Sequence, residues 1–65
     1  MNFLKLTLKT CFDIAELYAN SRELEMAEEY YSRCLKLSVF INDKFHEEKA
    51  IDKMGLCAYY QGNAG

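Results

Sequence analysis

The apolar residues of this chain recur at steps of three and four rather than in alternation. Leu4, Leu8, Cys11, Ala15 and Tyr18 trace one such line, and Phe12, Ile14 and Ala19 widen it. Steps of that size put side chains on one side of an α-helix, so a helix is predicted over about residues 3–20. Asn20 and Ser21 break the line. Either can cap the helix that follows, and Glu23, three positions after Asn20, makes a variant of the capping box. A second line runs through Leu24, Ala27, Tyr31, Cys34, Leu35, Ser38 and Ile41, with Met26, Tyr30, Leu37 and Phe40 on the other side. It predicts a helix over about 23–41 that is apolar on more than one face. Asn42 and Asp43 form the next break and the next cap. Phe45, Ala50, Ile51, Met54, Cys57 and Ala58 then mark a third helix over about 44–61, followed by a turn-rich tail at 62–65.

The expected fold class is all-α: an antiparallel helical hairpin plus one further helix, in a single unit spanning 1–65. Two short polar connections force neighbouring helices to pack antiparallel. A chain of 65 residues buries only about 60% of the surface it exposes when unfolded, so its own core is marginal. The formal net charge of −2 argues against nucleic acid, whose phosphates need clustered cations. It argues equally against an anionic membrane surface. No apolar run approaches the roughly 18 residues of a membrane span. The start, Met1-Asn2-Phe3-Leu4, begins like a signal peptide, but Lys5 and Lys9 interrupt its apolar stretch.

Chemistry is sparse. Cys11, Cys34 and Cys57 are an odd set, poor material for a disulfide framework. No two are close in sequence, and His46 is the single histidine, so neither a metal site nor a cofactor is expected. The cysteines read as small buried hydrophobes in a reducing, intracellular compartment. No serine–histidine–aspartate set, phosphate loop or convergent carboxylate pair can be assembled, so no catalytic residue is expected. A thiol-dependent enzyme would need a cysteine of depressed pKa, and Cys34 beside Arg33 is its best-placed candidate. Glu23, Glu25, Glu28 and Glu29 load the start of the second helix, where the helix dipole favours negative charge; the alternative is an acidic docking patch. His46, next to Glu47 and Glu48, is expected in solvent. Tyr30-Tyr31 and Tyr59-Tyr60 each suit one core and one half-exposed ring, or a platform for a peptide.

The placement of small residues carries the most information. The first helix reads Cys11-x2-Ile14-Ala15-x2-Tyr18 and the second Ala27-x3-Tyr31-x2-Cys34. Ala15 and Ala27 have almost no side chain, so two helix axes can approach there, while Tyr18 and Tyr31 fill the volume alongside. This resembles the tetratricopeptide repeat, whose pattern is W-x2-L-G-x2-Y followed by A-x3-F. Ile14, Ala15 and Tyr18 stand at its leucine, glycine and tyrosine. Ala27 and Tyr31 stand at its small and aromatic positions. Cys11 replaces the large aromatic, and Val39 stands where the family has a terminal proline. Ile51-x2-Met54-Gly55-x2-Ala58 resembles the opening of a second repeat, 40 positions after Ala15 rather than the usual 34 or so. That long period is similar to arrays of the kinesin-light-chain and Pins type, and Asn42-Asp43-Lys44 occupies the turn between their repeats.

The resemblance implies a non-enzymatic scaffold or adaptor that holds a partner peptide or helix in a concave groove lined by first helices. Here the groove would be formed by Phe12, Glu16, and Ala19 or Asn20, with Asp52, Leu56, and Tyr59 or Tyr60 from the third helix. The other reading is that Phe12, Leu56 and Tyr59 merely pack on neighbouring helices. With Glu16 and Asp52 present, the groove is expected to be acidic and to reject an acidic chaperone tail. One repeat and a half rarely stands alone. Either a longer array or self-association into a dimer or stacked oligomer is therefore expected. Related arrays belong to motor, polarity and axonemal complexes, which points to a cytoplasmic or cytoskeletal setting.

Overall fold

A computed structural model describes residues 3–63 of the protein as three helices: α1 (Phe3–Asn20), α2 (Leu24–Phe40) and α3 (Lys44–Asn63). The chain is all-α, with no strand among the described residues. The first two helices end within one residue of the bounds predicted from the apolar pattern, and α3 runs two residues further. Gly62 and Asn63 continue the helix because a glycine ends one only where the backbone turns left-handed. No described glycine has a positive φ. The remainder of the expected tail, Ala64 and Gly65, lies outside the described residues, as do Met1 and Asn2.

α2 is the shared partner, packed against α1 on one side and α3 on the other. The core is made of Leu8, Phe12 and Ala15 from α1, Ala27, Tyr31 and Cys34 from α2, and Ala50 and Cys57 from α3. Ala15, Ala27 and Ala50 are completely covered, which is the close approach that small side chains permit. Buried Ser38 satisfies its hydroxyl by donating to the Leu35 carbonyl at 2.8 Å.

Both connections use the same device. Arg22 and Asn42 adopt left-handed conformations with φ of 67° and 60°. The next residue's amide reaches back to the helix: Glu23 N–H donates to the Tyr18 carbonyl at 2.9 Å, and Asp43 N–H to that of Ser38 at 2.8 Å. These are Schellman closures, which satisfy carbonyls that a helix end leaves free. The expected cap of α2 by Asn20 or Ser21 does not form. Asn20 is the last residue of α1, and Glu23 takes the cap position without a side-chain hydrogen bond.

At α3 the expected cap is present. Asp43 Oδ1 accepts from the His46 backbone N–H at 3.1 Å, and Oδ2 lies 2.8 Å from His46 Nδ1. An ionised carboxylate only accepts, so Nδ1 carries the hydrogen. His46 is therefore not simply solvated. Its ring also stacks near Phe12, at 5.4 Å between centroids, and Phe45.

Candidate functional site

α1 and α3 flank a cleft floored by α2, with a volume of about 420 Å³. Glu16, Ala19 and Asn20 contribute from α1, Arg22 from the first turn, Leu24 and Tyr31 from α2, and Lys53, Leu56, Cys57 and Tyr60 from α3. The volume falls in the range of ordinary ligand pockets. The α3 residues step 53, 56, 57, 60, one stripe of that helix.

Of the groove residues expected from the sequence, Glu16, Leu56 and both Ala19 and Asn20 meet here, and Tyr60 rather than Tyr59 joins them. Phe12 does not line the cleft. It is only 7% exposed and belongs to the core, edge-on to Tyr31 at 5.9 Å. Asp52 and Tyr59 are exposed and outside the cleft. The reason is a rotation of α3. The buried line of that helix runs through Ala50 and Cys57, not through Ile51 and Gly55. Adjacent helix positions differ in direction by about 100°, so Asp52 and Tyr59 point away from the side shared by Lys53, Leu56, Cys57 and Tyr60. Accordingly Ile51 and Gly55, expected at packing positions, are exposed, and a Cβ on Gly55 would meet no atom within 4 Å. Met54 is partly buried against the core. The other expected packing residues, Cys11, Ile14, Ala15, Tyr18, Ala27, Tyr31 and Cys34, are buried or half-buried.

Charge in the cleft also differs from the acidic expectation. One carboxylate, Glu16, shares the lining with two cations, Arg22 and Lys53. Neither cation stands out in the sequence; Lys53 was discoverable only through the periodicity 53, 57, 60 once α3 was correctly rotated. On the floor, burial and then the Glu16 charge push the Tyr31 hydroxyl up to about 12, so it remains a protonated donor. Burial and the charge of Glu28 raise the Cys57 thiol, against the opposing pull of Lys53.

Cys34 lacks the surroundings of a reactive cysteine, which needs a nearby positive charge to stabilise the thiolate. Cys34 is fully buried, and burial, followed by the influence of Cys11, pushes it up to about 12. Arg33, adjacent in sequence, points instead to Glu29 at 3.3 Å and lies over the Tyr30 ring. Of the four glutamates at the start of α2, Glu23, Glu25 and Glu29 are exposed, and Glu28 accepts from Gln61 Nε2 at 3.5 Å. Among the described residues no helix is long and apolar enough to cross a membrane. Compared with models of known families, with curated proteins and with solved structures, the chain matches none.

Proposed function

We propose that this chain is a protein-interaction module of tetratricopeptide type, a scaffold or adaptor that holds a partner peptide or helix in the cleft between α1 and α3. One observation carries the reading. At the 40-residue offset, Ala50 and Cys57, which α3 turns to α2, correspond to Thr10 and Leu17, which α1 turns away from α2. Ala50 and Cys57 are buried, whereas Thr10 is exposed and Leu17 is 66% exposed. Conversely Ala15, buried on α2, corresponds to the open Gly55. On that alignment α1 and α3 press opposite faces on the helix between them. A closed three-helix bundle has no need of that arrangement, whereas a stack of repeating hairpins requires it.

The ligand is selected by apolar walls: Leu24, Leu56 and Tyr60. With Arg22 and Lys53 beside Glu16, charge alone gives no ground for rejecting an acidic tail. The experiment is selection from a displayed random-peptide library, followed by titration of a selected peptide. Leu56→Asp should weaken binding by about tenfold or more, the effect of removing one well-packed apolar contact, while Phe40→Asp should not. Equal effects, or no selectable peptide, would remove the cleft from consideration.

A second reading is favoured by a separate feature. Large apolar side chains stand exposed on all three helices, among them Phe3, Leu6, Val39, Phe40, Phe45 and Ile51. Exposed apolar side chains in that number suit an association surface, and a second copy of the chain is the cover this reading assigns. Light scattering separates the two: a monomer that persists on concentration leaves only the peptide module.

A further inference from the structure

Cys11 and Cys34 lie on opposite helices of the α1–α2 hairpin, and two ring contacts fix their register. Phe12 meets Tyr31 at 5.9 Å, and Tyr18 meets Tyr30 at 5.6 Å. Antiparallel packing then sets Cys11, beside Phe12, against Cys34, one turn beyond Tyr31. Cys34 is completely covered, and Cys11 is half-buried against the same core cluster. Burial raises the Cys34 thiol most, and Cys11 adds to that rise from across the helix pair. Cys57 shares the core cluster but stands on α3, where Glu28 and Lys53 are the charges that act on it.

We propose that Cys11 and Cys34 form a redox-closable pair, a modification site at which a reversible disulfide staples α1 to α2 and leaves Cys57 free. The oxidant is a low-molecular-weight disulfide. Cys11, the solvent-reachable member, attacks as thiolate, forming a mixed disulfide and releasing one small thiol. Cys34 then attacks the Cys11 sulfur; its sulfur forms the new S–S bond, and the second small thiolate leaves with the Cys34 proton. Two protein thiols are oxidised and one small disulfide is reduced to two thiols, so atoms and electrons balance. The second step is the slow one, because the thiolate of a buried, high-pKa cysteine is rare.

The staple closes the stretch from position 11 to position 34, which includes the whole first turn. A loop of that size restricts the unfolded chain enough to raise the melting midpoint by roughly 10 °C or more. The pairing is also separable by chemistry: cleavage after lysine and arginine puts Cys11, Cys34 and Cys57 on three different peptides.

The test is incubation of the full chain with oxidised glutathione, alkylation of remaining thiols, and peptide mapping without reduction. Before alkylation the expected product has an intact mass lower by two hydrogens and a higher melting midpoint; after alkylation, mapping gives a Cys11–Cys34 linked peptide and an alkylated Cys57. Cys57→Ala should leave closure intact, and Cys11→Ser should abolish it. A link that includes Cys57, linkage only between chains, or glutathione held on Cys11 without closure would each overturn the assignment.

Discussion

Replacing Gly55 by alanine probes the rotation of α3 directly. Gly55 lies inside α3 in helical conformation, and an added Cβ would touch nothing within 4 Å. The methyl group therefore meets no clash and gains little burial, so the change isolates the backbone effect. Glycine inside a helix is less stable than alanine by about 0.5–1 kcal/mol. For a domain of this size each kcal/mol moves the midpoint by roughly 4–8 °C, so Gly55→Ala should raise it by about 2–8 °C. The reverse change at the equivalent place, Ala15→Gly, should act oppositely and more strongly. It adds the same backbone penalty and uncovers a completely buried methyl group worth about 0.8 kcal/mol. Thermal unfolding followed by circular dichroism, at the lowest workable concentration, measures both. A lower midpoint for Gly55→Ala in dilute solution would mean that this face of α3 is already closely packed, and would refute the rotation. A gain that shrinks with rising protein concentration would point to a second copy seated over Gly55.

Two further perturbations address the core and the second turn. Ala27→Leu inserts bulk where the side chain is completely covered; overpacking of this kind costs about 1–3 kcal/mol, and an unchanged denaturant midpoint would show that α1 and α2 do not approach closely there. At Asp43 the His46 backbone N–H, then the His46 ring and Lys5, hold the carboxyl below the usual range against partial desolvation. A depressed carboxyl stabilises the fold above its unfolded pKa, so this contribution should be lost as pH falls below about 4. Asn caps without titrating, so melting of the wild type against Asp43→Asn should show the wild-type advantage vanish in acid; parallel acid limbs would exclude Asp43 as the titrating group.

The helices themselves are local events, legible before any folding is considered. The three-and-four stepping of Leu8, Ala15, Ala27, Tyr31 and Cys34 sets the two inner faces, because a helix has only one way of presenting that spacing. The breaks at Asn20–Glu23 and Asn42–Asp43 follow from residues that tolerate or cap a turn, although which residue does the capping is less local. Glu23 occupies the cap position of α2 only because the Schellman closure on Tyr18 fixes the chain's path one step later than the side chains suggested. His46 shows the same limit. Its neighbours Glu47 and Glu48 suggest water, but Phe12 from α1 and Asp43 from the turn hold one side of its ring.

What tertiary packing decided was the rotation of α3. That helix has apolar residues on several sides, so its sequence offers at least two faces that α2 could accept. The line through Ala50 and Cys57 prevails over Ile51 and Gly55. This choice removes Asp52 and Tyr59 from the cleft and brings Lys53 and Tyr60 into it. Periodicity fixes the shape of each helix, since that depends on neighbours a turn away. Only contact with a second surface fixes which side faces inward, since burying either stripe satisfies the helix equally well.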